Sequence, residues 1–125
     1  MKRDRLGAVA CHSAAVAIMA GAFGAHAATG PAIDWLKTGA SYQLIHAVAV
    51  VAASPRHLAS SKLLLGGSLI FAFSLYGLAL GGPRWLGAIA PIGGAAMILG
   101  WLWMAYCLSL SRNSATESSD TDLST

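Results

Sequence analysis

The sequence predicts an all-α polytopic membrane protein, an up-down bundle of four transmembrane helices. Three observations predict it. The 125 residues are 56% hydrophobic and only 10% charged, with a mean hydropathy of +0.63, whereas soluble domains carry about 25% charged residues. Five formal charges, Asp34, Lys37, Arg56, Lys62 and Arg84, fall between Leu6 and Ser111, and they leave uncharged runs of 28, 18, 21 and 27 residues. A spanning helix needs roughly 17 to 25 apolar residues, and every run reaches that length. Finally, VAVVAAS and LLLGGSLIFAF do not alternate apolar with polar residues, as strands of a membrane barrel do. Helices satisfy their backbone groups internally, which lipid demands. A soluble core of this size is excluded, because small domains leave about 40% of their chain surface exposed.

Residues 1–5 read as a basic cytoplasmic N-terminus, 6–110 as the membrane domain and 111–125 as an acidic tail. The first helix is expected at 6–28, directly after KRDR. The second is expected at 32–54. Pro31 suits its first turn, where a missing N–H costs nothing, and Pro55 ends it by pushing its neighbour out of the helical region. The third is expected at 61–80, stopping at Gly81-Gly82-Pro83. The fourth is expected at 85–110, starting either at Trp85 with a kink at Pro91 or at Pro91 itself. Tail residues 113–125 carry three acids, no base and no aromatic ring, so they cannot bury enough surface to fold and are expected to be disordered.

Orientation follows from the cations. With the N-terminus inside, Lys2, Arg3, Arg5, Arg56, Lys62 and Arg112 face the cytoplasm, and Lys37 and Arg84 face out. That six-to-two bias places both termini in the cytoplasm of a bacterial inner membrane. Residues 1–27 also imitate a signal peptide, with KRDR as its basic start and Ala25-His26-Ala27 as its cleavage pattern. Signal-peptide cores span roughly 7 to 15 residues, however, and this run is longer and holds Cys11, His12 and Ser13. The first helix is therefore read as retained, with cleavage as the alternative.

Stretches in a fixed order resemble one family. GAFGAHA (21–27), WLKTGASYQLIHAVAV (35–50), FSLYGLAL (73–80), RWLGAIAPIGG (84–94) and GWLWMA (100–105) are similar to the domain of unknown function 423 family, small proteins akin to transmembrane protein 256. The resemblance covers roughly residues 6 to 110. It implies four membrane helices with the first retained, and no established activity. Ala90 stands where the family leads one to expect threonine, and Phe73 where it leads one to expect glycine.

The candidate polar cluster is His26, Tyr42, Gln43 and His46. Tyr42 and His46 are four residues apart, and Gln43 and His46 three, so these share one helix face. His46 falls near the bilayer middle, where ionisable groups are costly and often functional. The functional reading is a proton or ion path through a small oligomeric transporter or channel. The structural reading, which ranks first, is interhelical glue, because no acid lies inside a helix to complete a relay. His26 is expected at the outer interface, hydrogen-bonded to the polar start of helix 2. A haem held by His12 and His46 is a minor third reading.

Gly21, Gly24, Gly93 and Gly94 are expected to let helices approach closely. No acid pair, nucleophile motif or zinc motif is present, and Cys11 and Cys107 lack metal spacing. The expectation is a non-enzymatic integral membrane protein with a structural or accessory role, no cofactor and no metal. Its partner is the lipid bilayer, a homo-oligomer is allowed, and the scattered cations form no nucleic-acid surface.

Overall fold

The computed structural model describes residues 4–124, and among them it contains four α-helices and no strand. They are α1 (Arg5–His26), α2 (Pro31–Ala53), α3 (Leu58–Ala79) and α4 (Leu86–Leu123). Asp4 caps α1: its Oδ1 accepts from the Gly7 N–H at 2.8 Å. Its Oδ2 accepts from the Ser54 hydroxyl at 2.5 Å, which ties the start of α1 to the end of α2. The Ser54 bond and then the Gly7 bond hold the Asp4 carboxyl below its ordinary 3.8. Pro31 occupies the first turn of α2, after Gly30 at φ +59°. The turn after α3 uses Gly81 at φ +86°, a backbone that side chains resist.

α3 starts three residues before the expected position, at Leu58, so its connection to α2 is shorter than the sequence implied. α4 starts at Leu86 and runs through Pro91 without a break. The proline removes one N–H from the ladder, the one that would bond the Gly87 carbonyl. The tail also departs from expectation, because α4 continues as helix to Leu123 with every residue from Leu108 to Ser124 exposed. No glycine or proline interrupts it, and extending a nucleated helix is far easier than starting one. Serine and threonine hydroxyls, among them Ser114 and Thr116, bond carbonyls one turn back.

Consecutive helices run antiparallel and pack on their chain neighbours, and α1 also touches α3. Among the described residues no close backbone approach joins α4 to α1 or α2. The bundle is therefore open along one side rather than four-square. α1, α3 and α4 are long and apolar enough to cross a membrane, whereas four such helices were expected. α2 is equally long at 23 residues, but Asp34, Lys37, Gln43 and His46 dilute its apolar content. It lies between α1 and α3, with Gln43 and His46 turned inward.

The interior is rich in small residues, and many large apolar side chains lie on the exterior. Ala10, Ala17, Ala40, Ala47 and Ala72 are buried, while Ile18, Phe23, Ile45, Val48, Ile98 and Leu102 are exposed. Water would drive the reverse arrangement. In lipid the large side chains are already solvated, and helices associate by close packing instead. One apolar cluster joins Ala10, Ala47, Val50, Leu64, Leu65 and Met104 from all four helices, and a second joins Leu36, Ala72 and Tyr76.

The glycines separate by function. A Cβ on Gly24 would stand 2.9 Å from the Leu36 Cβ, and one on Gly21 would make ordinary contact with Ala40 at 3.5 Å. A Cβ on Gly93 would meet the backbone, 2.5 Å from the Phe71 nitrogen and 2.6 Å from the Gly67 oxygen. Gly94 is no packing glycine: nothing lies within 4 Å of the corresponding position. These adjacent residues give a matched test. Gly93→Ala should force α3 and α4 apart and lower the thermal midpoint in detergent. Gly94→Ala should leave it unchanged or raise it, because alanine gains about 1 kcal/mol over glycine in a helix. Equal losses from both would contradict this packing.

Candidate functional site

The polar side chains midway along α2 form two short systems. Gln43 is 0% exposed. Its Nε2 donates to the Ser13 hydroxyl of α1 at 3.0 Å, and its Oε1 accepts from the Tyr76 hydroxyl of α3 at 2.6 Å. One side chain thus links three helices. Gly39, one turn earlier on α2, makes room for the tyrosine, since a Cβ there would lie 2.7 Å from Tyr76 Cε1.

The second system centres on His46, which is 5% exposed. Its Nδ1 lies 2.6 Å from the Tyr42 carbonyl, and its Nε2 lies 3.1 Å from Trp101 Nε1 on α4. A carbonyl only accepts and an indole N–H only donates. The ring is therefore the neutral tautomer, with the proton on Nδ1, and both nitrogens are engaged. Tyr42 stacks on His46 with ring centroids 6.2 Å apart and packs against Phe71 at 4.9 Å. The Trp101 bond crosses the gap where the backbones of α2 and α4 stay apart. A cleft of about 310 Å³ remains there, lined by Tyr42, His46, Phe71, Gly94, Met97 and Trp101 among others.

The structure places Gln43 in one system and Tyr42 with His46 in the other, and leaves His26 apart from both. His26 is exposed in the last turn of α1, and among the described residues its ring makes no hydrogen bond to Asp34, Thr38, Tyr42 or Gln43. Gln43 instead meets α1 at Ser13, thirteen residues from His26 and about 20 Å along the helix. The haem pair is not assembled either. His12 is exposed and bonds the Ala8 carbonyl of its own helix, while His46 has no free nitrogen.

Sequence reasoning missed the partners. Ser13 entered only the signal-peptide argument, and Tyr76 and Trp101 only the stretches FSLYGLAL and GWLWMA that carry the resemblance. Gly39 was the available signal for Tyr76, because a glycine one turn before a buried glutamine leaves room for a ring to reach it.

A layer of buried polar ties between apolar-surfaced helices defines the class: this is an α-helical integral membrane protein. The family model described as Protein of unknown function (DUF423) matches residues 20–94, and the chain belongs to that family. It is 36% identical over 97 residues to a UPF0382 membrane protein of Haemophilus influenzae, covering 69% of this chain and 78% of the relative. It is also 36% identical over 96 residues to the UPF0382 inner membrane protein YgdD of Escherichia coli K12, covering 67% and 73%. A UPF0382 membrane protein of Staphylococcus epidermidis is 38% identical over 102 residues, covering 72% and 83%. No solved structure matches the chain.

The two tyrosines on these systems should respond differently. Tyr76→Phe leaves the buried Gln43 Oε1 without its donor and should cost about 1 to 3 kcal/mol. The Tyr42 hydroxyl has no hydrogen-bond partner among the described residues, and Tyr42 is 46% exposed. Tyr42→Phe should therefore stay within about 0.5 kcal/mol of the parent. Reversible unfolding in mixed micelles compares them, and the reverse ranking would refute the assigned partners.

Proposed function

We propose that this chain is a non-enzymatic protein of the bacterial inner membrane, with both termini in the cytoplasm and a structural or accessory role. The observation that carries the reading is that the mid-depth polar groups are closed on one another. Gln43 is spent on Ser13 and Tyr76, and His46 on Tyr42 and Trp101. A relay needs a group free to take a proton and pass it on. His46 takes one at Nε2 only by releasing Trp101. The relative named as an inner membrane protein supports the location, and the cation bias supports the orientation.

One observation favours a second reading, a small transporter. The cleft of about 310 Å³ borders His46 and opens between α2 and α4. Proteoliposomes with an imposed pH gradient separate the two. Under the structural reading neither the parent nor His46→Ala conducts protons above empty vesicles, and the variant unfolds at lower temperature. Flux in the parent that His46→Ala abolishes would establish transport instead. In cells, a reporter fused after Thr125 should lie on the cytoplasmic side.

A further inference from the structure

A second cavity lies at the end of the bundle that carries the start of α1. It is a groove of about 760 Å³ between α1 and α3, lined by Asp4, Arg5, Leu6, Val9, Ser54, Pro55, Leu58 and Lys62. Its lining mixes charge with hydrocarbon. On α1, Arg5 opens the helix and Leu6 and Val9 follow into the first turns; on α3, apolar Leu58 opens the helix and the Lys62 charge lies one turn in.

We infer that this groove binds one anionic phospholipid, its headgroup phosphate held by Arg5 and Lys62 and an acyl chain lying against Leu6, Val9 and Leu58. Three observations lead there. Both cations are exposed and line the same cavity, and among the described residues neither makes a salt bridge. The acid in the groove is already committed, because Asp4 Oδ1 accepts from Gly7 and Oδ2 from Ser54. Its negative charge remains, partly offset by the positive end of α1, and Arg5 and Lys62 outnumber it two to one in the groove. The apolar walls are contiguous with the lipid-facing surface, since Val9 and Leu58 are 51% and 53% exposed.

A soluble anion would use the cations and leave the walls bare. A zwitterionic lipid would use the walls and leave the net positive charge unanswered. An anionic lipid answers both, and a lysine one turn inside the membrane reaches headgroup level by extending its stem. The inference is independent of which side of the membrane this end faces.

Native mass spectrometry of the full chain, titrated with phosphatidylglycerol or with phosphatidylcholine of the same acyl chains, tests it. The parent should hold one phosphatidylglycerol about tenfold more tightly than phosphatidylcholine. Arg5→Gln with Lys62→Gln should abolish that preference. Arg56→Gln with Arg112→Gln, which removes two exposed cations outside the groove, should keep it. Val9→Trp, which narrows the groove and leaves both charges, should weaken both lipids. Equal binding of the two lipids by the parent would overturn the inference, as would equal loss in the two charge pairs. Helical circular dichroism checks that each variant folds, and Lys62→Gln alone, with a smaller loss of preference, carries the test if the double variant does not.

Discussion

The buried polar side chains in the middle of α2, Gln43 and His46, must find partners inside the protein, because surrounding hydrocarbon offers none. That constraint organises the molecule. Gln43 has donors and an acceptor to satisfy, and it satisfies them with Ser13 on α1 and Tyr76 on α3. His46 has a donor and an acceptor, and it takes the Tyr42 carbonyl and the Trp101 indole. The four helices are thereby connected through one polar layer on α2. Apolar packing alone would not choose that arrangement, since lipid solvates the large side chains of α1 and α4 as well as a neighbouring helix would.

Small residues allow the layer to close. Gly24 sits against Leu36 where α1 meets α2, Gly39 admits the ring of Tyr76, and Gly93 meets the backbone of α3 at Gly67 and Phe71. α4 packs closely only on α3. Among the described residues it also meets the other helices through Met104 in the shared apolar cluster and through the Trp101–His46 bond. That asymmetry leaves the cleft beside Gly94 and makes α4 the helix whose backbone packs on a single neighbour. At the opposite side, the Asp4–Ser54 bond closes the start of α1 onto the end of α2, with the basic groove beside it.

Charge spacing made the fold legible. Uncharged runs of fixed length imply helices, and Pro31, Pro55 and Gly81-Gly82-Pro83 mark their ends to within a few residues. Although Gln43 and His46 turn inward and Tyr42 stays half exposed, that all three lie close together on α2 was legible from helical spacing. Their partners were not, because Ser13, Tyr76 and Trp101 lie 30, 33 and 55 residues away from the groups they bond, and one sequence does not say which helix faces meet. The same limit misplaced His26, whose nearness to α2 in the chain implied a bond that the helix end does not make. Gly93 and Gly94 are alike in sequence, and only the position of α3 tells them apart. The helical tail escaped the composition argument because that argument weighs burial and ignores a helix already running into the segment.

The central claim is that Gln43 joins α1 to α2 by a hydrogen bond to Ser13 rather than by shape alone. A double-mutant cycle of Ser13→Ala and Gln43→Leu, measured by reversible unfolding in lipid, addresses it most directly. If the bond exists, the double variant loses less stability than the two single losses added together, with a coupling of about 0.6 kcal/mol and at most about 1.7 kcal/mol, the range of interhelical hydrogen bonds in membranes. Strictly additive losses would show that the two side chains do not interact and would contradict the account.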